Sequence, residues 1–182
     1  MLAKFMQTEY VPAPRIEKRC GGEDVSALGA FPRGSVIEIT AHIPRSLGVT
    51  RAELCIRRDT LAPSDEGKDS SVQRIGFEFI STDYVNDEYK LSLDTAALCG
   101  DSDSGLFYYT YIFRRGGEEL AASTVDNVAF SLVKTNWNEF RLTVYRPEFK
   151  VPEWLGGGIM YHIFLDRFAK GDGNTSYRSD SI

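Results

Sequence analysis

Between Phe31 and Arg146 apolar side chains recur at every second position, in one short run after another, and clusters of Gly, Asp, Asn, Ser and Pro separate the runs. A period of two puts alternate residues on opposite faces of an extended chain, whereas a helix needs a period near 3.6. Nothing helical intervenes, so the pattern predicts six or seven strands and little else. In "SVIEITAHI" Ile37, Ile39, Ala41 and Ile43 share one face; in "RAELCIRR" Ala52, Leu54 and Ile56 do; in "RIGFEFI" Ile75, Phe77 and Phe79 do; in "DEYKLSL" Tyr89, Leu91 and Leu93 do. Each of these strands has one dry face and one wet one.

"GLFYYTYIF" breaks the rule, because Phe107, Tyr109, Tyr111 and Phe113 are backed by Leu106, Tyr108 and Ile112. A strand that is apolar on both faces belongs at a sheet centre. "RRGGEE" then supplies a Gly-Gly turn that folds it onto "ELAASTV" as a hairpin, and "VAFSLV" and "EFRLTVY" close the series. Strands at this spacing predict an all-β fold, a two-sheet antiparallel β-sandwich of immunoglobulin type over residues 34–147, with 1–33 as an extended lead-in that holds at most an edge strand near Thr8 to Val11. The loops at 63–70, 81–88 and 94–105 read as solvated connections, and Asp101 and Asp103 as wet acids rather than calcium ligands.

Composition excludes several classes of function. With 42% hydrophobic and 12% aromatic residues the chain buries a core. Its 21 basic against 26 acidic residues give a net charge of −5, and the longest basic runs are the pairs Arg57-Arg58 and Arg114-Arg115, so the footprint for a phosphate backbone is missing and nucleic acid is not expected as a partner. No stretch of 18 apolar residues calls for a membrane, and the N-terminus lacks the apolar core of a secretory signal, so a cytoplasmic location is expected. Cys20, Cys55 and Cys99 are odd in number and widely spaced, which predicts reduced thiols, with no metal and no cofactor.

After Arg146 the character changes. "PEFKVPEW" is a proline-punctuated linker (148–157), and "GGGIMYHIFLDRF" is a continuous apolar run of the kind buried on both faces of a parallel sheet. Few residues follow it, too few for a crossover and a second parallel strand, so the chain reads as a piece of a longer one, cut just inside a second domain at 158–182.

The segment "RLTVYRPEFKVPEWLGGGIMYHIFLDRFAKGD" resembles the junction in the alpha-amylase family of glycoside hydrolases, in the neopullulanase, cyclomaltodextrinase and amylopullulanase branch. There a β-sandwich ends in an "LTVY"-like strand, a linker carries Pro-x-Trp, and a (β/α)8 barrel opens with a strand of the form "YQIFPDRF". Trp154, Tyr161, Ile163, Phe164, Asp166, Arg167 and Phe168 stand in register, while His162 replaces the usual Gln and Leu165 the usual Pro. The resemblance makes Trp154, Tyr161, Asp166, Arg167 and Phe168 a structural signature and Trp154 an anchor between the two domains. Family members hold calcium after this strand, but Lys170 occupies one ligand position and only Asp172 and Asn174 remain as donors, which serves a calcium ion poorly.

Retaining hydrolysis needs two carboxyl groups about 5–5.5 Å apart, and the resemblance places them on later barrel strands. The parent protein is then an enzyme on α-glucans, and this stretch of it carries no catalytic residue. The two histidines, His42 and His162, lack a nucleophile or ligand partner in sequence. Binding is what the sandwich can supply, because aromatic rings stack on the CH faces of sugars while amides take the hydroxyls. Trp137, flanked by Asn136 and Asn138, reads as a sugar platform or as a cap on the end of the core; Tyr84 and Tyr108 follow. The implied partners are an α-glucan or cyclodextrin, the barrel of the same parent chain, and a second copy. The alternative is a structural immunoglobulin-like interaction domain with no sugar ligand.

Overall fold

The computed structural model describes residues 13–24, 29–59, 72–150 and 152–155. The chain divides into two compact units, Met1–Glu148 and Phe149–Ile182. The second contributes one described element, a 3-10 turn at Glu153–Leu155 that contains Trp154. Tyr161, Asp166, Arg167, Phe168 and the rest of the expected barrel stub, the acidic loop at 63–70 and the expected edge strand near Thr8 lie outside the described residues.

The first unit is all-β, with antiparallel sheets and almost no helix. One sheet has the order β2 (Glu23–Asp24), β1 (Arg15–Cys20), β4 (Val36–Pro44), β8 (Asn86–Asp94), β7 (Glu78–Thr82). The other is built on β9 (Gly105–Arg115), which pairs with β5 (Arg51–Arg58) along one edge. Its opposite edge is shared between β12 (Phe140–Tyr145) and β10 (Glu118–Thr124). Beyond these, β11 (Phe130–Val133) lies on β10, β6 (Gln73–Gly76) on β5, and β3 (Ala30–Pro32) runs parallel to β12.

The two sheets feed one core. Ile37, Ile39, Ala41, Ile43, Tyr89, Leu91 and Leu93 meet Ala52, Leu54, Ile56, Phe107, Tyr109, Tyr111 and Phe113, which are the faces the period of two assigned. Each such side chain contributes about 1.5–3 kcal/mol by leaving water. Lys18 of β1 reaches across to the Tyr109 hydroxyl at 3.2 Å, one polar tie between the sheets. The strand expected at a sheet centre is β9, with three partner strands, and Gly116 and Gly117, both at positive φ, make the two-residue hairpin turn into β10. Cys20, Cys55 and Cys99 are free thiols.

Three expectations need correction. "RIGFEFI" is not one strand: Gln73–Gly76 pairs with β5 in one sheet and Glu78–Thr82 with β8 in the other, so the chain changes sheet at Phe77, whose N–H bonds the Ala52 carbonyl at 2.9 Å. Alternation survives this bend, yet Phe79 is left 53% exposed beyond the core. The expected loop at 94–105 begins with a helical turn, Thr95–Cys99, capped by Asp94, whose carboxylate accepts the Ala96 N–H at 2.7 Å. Thr95 is fully buried and bonds the Pro32 and Ser35 carbonyls. More strands are also present than six or seven, because the lead-in expected to hold at most an edge strand near Thr8 to Val11 contributes β1, β2 and β3, of which β1 pairs with β4 over its whole length.

Candidate functional site

The site lies on the face of the β9 sheet that points away from the core. Because odd-numbered residues of β9 face inward, Tyr108 faces out, and pairing register places Arg57 of β5 and Arg141 of β12 directly beside it. These three form a row across adjacent strands. Above the row β9 changes partner: β12 covers its edge at Gly105–Tyr109 and β10 covers it at Ile112–Arg115. At this fork Thr110 donates its hydroxyl to the Ala122 carbonyl at 2.6 Å, which satisfies an acceptor near the point where β10 departs.

Two segments line the fork. The turn from β10 to β11 is self-braced: Asp126 Oδ1 accepts the Val128 and Ala129 N–H groups at 2.9 Å each, and Thr124 Oγ1 accepts the Asn127 N–H at 3.1 Å. Those backbone donors, Val128 first, hold the Asp126 carboxyl below the usual aspartate range, so it stays ionised. Asn127, at φ 66°, accepts the Arg141 N–H at 2.5 Å and donates to the Arg141 carbonyl, taking the place of a strand neighbour. The second segment, 134–139, is tied back by the Asn138 N–H on Ser123 Oγ at 2.9 Å and by the Asn138 carbonyl accepting from Thr124 N.

Together they enclose a groove of about 580 Å³ lined by Arg57, Tyr108, the turn 124–127, Trp137 to Glu139 and Arg141. Trp137 is 41% exposed and stands outside the buried core. The Arg57 guanidinium lies over the Tyr108 ring, 4.7 Å from its centroid. It is also clamped by Glu139, with Nε 3.2 Å from both carboxylate oxygens and Nη2 2.5 Å from Oε2. That bond, more than any other influence, raises the Arg57 pKa above its ordinary value.

Of the residues singled out from sequence, Trp137, Asn138 and Tyr108 meet in this groove, and Asn136 and Tyr84 do not. Asn136 is the left-handed turn residue, at φ 56°, that precedes Trp137. Tyr84 is fully exposed in the turn between β7 and β8, on the other sheet. Sequence reasoning missed Arg57, Asp126, Asn127, Glu139 and Arg141. For Arg57 and Arg141 the signal existed, since both hold outward positions of strands whose inward faces are plain; Glu139 is 82 residues from Arg57 and gave none. His42 lines a separate groove of about 280 Å³ on the outer face of the other sheet, with Nε2 3.8 Å from Glu17. No helix among the described residues is long and apolar enough to cross a membrane.

No protein-family model matches the chain. It is similar to three amylopullulanases: 53% identical over 34 residues to that of Thermoanaerobacterium thermosulfurigenes (19% of this chain, 2% of that protein), 42% over 43 residues to that of Thermoanaerobacter thermohydrosulfuricus (24% and 3%), and 35% over 75 residues to that of Thermoanaerobacterium saccharolyticum (40% and 6%). The chain therefore spans only 2 to 6% of the length of these curated relatives.

Proposed function

We propose that residues 34–147 form an immunoglobulin-like, non-catalytic module of an α-glucan-hydrolysing enzyme, and that the Trp137 groove takes a starch-like chain. In this reading the module also positions the catalytic barrel of the parent chain. The similarity to amylopullulanases supports the α-glucan assignment. The observation that carries the binding role is the half-exposed Trp137 ring on the rim of an open groove beside Asn138. An indole that a core does not need offers a face to sugar CH groups, and the amide beside it suits hydroxyls.

Isothermal titration of the 182-residue chain with maltohexaose and with β-cyclodextrin tests it. Trp137→Ala is expected to cost about 2 kcal/mol as a central aromatic anchor, which is about thirtyfold in affinity. The chain alone is expected to release no reducing sugar from starch above buffer, and measured turnover would overturn the non-catalytic reading. Flat heats with both ligands, or an unchanged affinity in Trp137→Ala, reject the binding role.

A second reading, a structural interaction domain without a sugar ligand, draws on β7. Every residue of this edge strand is exposed, Phe79 and Ile80 among them, and an open edge is a surface for pairing with another chain. Flat heats together with concentration-dependent self-association in sedimentation would favour it.

A further inference from the structure

We infer that Arg57 and Glu139 are the specificity-determining pair of the groove: held as one rigid unit on Tyr108, they read adjacent hydroxyls of a neutral sugar, while Trp137 supplies the stacking face. The inference rests on the binding role proposed above and assigns to two further residues the choice of ligand class.

Charge selects the class first. The lining carries two guanidiniums, Arg57 and Arg141, and two carboxylates, Asp126 and Glu139, so the formal charges cancel. An anion entering meets both carboxylates and a cation meets both guanidiniums, whereas a neutral polyol meets donors and acceptors side by side. Asp126 is spent on the backbone of its own turn, and the Asn127 amide on Arg141. The Arg57–Glu139 pair is not spent. Glu139 has two oxygens with about four acceptor positions, and Arg57 fills three of them. Arg57 Nη1, with two N–H groups, has no hydrogen-bond partner among the described residues.

Rigidity is the second argument. Arg57 and Glu139 are 36% and 26% exposed, a setting in which an ion pair does little for folding. Yet the pair is fixed by three polar contacts and a ring, so a ligand finds both side chains ordered before it arrives. A planar fork with spare donors next to one spare acceptor position can give a hydrogen bond to one hydroxyl and take one from its neighbour. Tyr108, whose ring is covered by the guanidinium, acts here as the support of Arg57 rather than as a platform for sugar.

The test is titration of the full 182-residue chain with β-cyclodextrin and with its fully O-methylated form, which keeps the CH faces and loses every O–H donor. Wild type is expected to prefer the free hydroxyls by about tenfold or more, the worth of a hydrogen bond to a charged group. Glu139→Gln and Arg57→Lys should each erase most of that preference, while Trp137→Ala weakens both ligands alike. Far-UV circular dichroism and thermal melts of the variants separate loss of recognition from loss of fold. If β-cyclodextrin binds and Trp137→Ala weakens it, but both pair variants keep the full hydroxyl preference, the inference fails and the binding role stands. If no variant and no wild-type sample binds either ligand, both fail.

Discussion

Replacing Glu53 by glutamine removes the carboxylate that pins the other end of the same outer sheet face. The Glu53 side chain is only 3% exposed and is met by Arg51 at 2.8 Å, Arg114 at 2.9 Å and Arg74 at 3.5 Å. Taking one partner from a buried pair costs about 3–5 kcal/mol, because a charge is left without compensation. Two features lower that figure. The three arginines are 62%, 41% and 44% exposed and can turn to water, and Arg74 and Arg114 retain Glu119 at 3.1 and 2.8 Å. We therefore expect about 2–3 kcal/mol, which lowers the urea midpoint by about 1–2 M for an ordinary denaturant slope. Glu119→Gln, at the half-exposed rim of the network, serves as the control, with about 0–1 kcal/mol expected. Urea titrations followed by circular dichroism, in low salt and in about 1 M salt, separate the two because screening acts on exposed pairs and much less on buried ones. The Glu53→Gln loss should persist in high salt while the Glu119→Gln loss fades. A Glu53→Gln midpoint equal to that of wild type, or a loss that vanishes in salt, refutes the argument that burial sets the worth of this carboxylate.

Asp126 has a depressed carboxyl pKa, so the folded chain binds fewer protons there than the unfolded one; the stability it adds is present above the unfolded value of about 3.9 and drains away as pH falls through the lowered folded value. Asp126→Asn should flatten the acid limb of the melting-temperature profile, and parallel profiles for the two proteins would contradict this. Gly29 sits at φ 59°, where an added Cβ would lie 2.9 Å from the Arg141 carbonyl oxygen. Gly29→Ala is expected to cost about 1–3 kcal/mol from backbone strain and to disturb the groove through Arg141, so a melt indistinguishable from wild type would count against the close approach.

What sequence made legible was whatever depends on neighbours in the chain. The inward faces of β4, β5, β8 and β9 follow from alternation, and the β9–β10 hairpin follows from two glycines that accept positive φ. What it hid depends on pairing between distant strands. "RIGFEFI" keeps its period across a change of sheet, so a pattern of period two cannot report that Ile75 and Phe79 sit in different sheets. Trp137, Asn138, Tyr108 and Tyr84 are conspicuous in sequence because aromatics and amides stand out by type, but only the fold shows that the first three line one groove while Tyr84 lies on the other sheet. Arg57 and Glu139 look like ordinary surface charges until register brings them together.

The outer face of the β9 sheet thus carries two ionic clusters on the same two strands, one sealed and one open, and the difference lies in where neighbouring strands stop. Glu53 and Arg57 are four residues apart on β5 and face the same way. Around Glu53 the face is flanked on both sides: β6 pairs with Glu53 through Ile56 and brings Arg74, and β10 pairs with Ile112 through Arg115 and brings Glu119. Toward Arg57 the β6 flank runs out, since its register ends at Gln73 opposite Ile56, and on the other side β10 leaves β9 at Ile112 and gives way to β12, which brings Arg141 beside Tyr108. The same chemistry of paired carboxylates and guanidiniums is therefore consumed as a staple at one end and left with unused Arg57 donors and a remaining Glu139 acceptor position at the other.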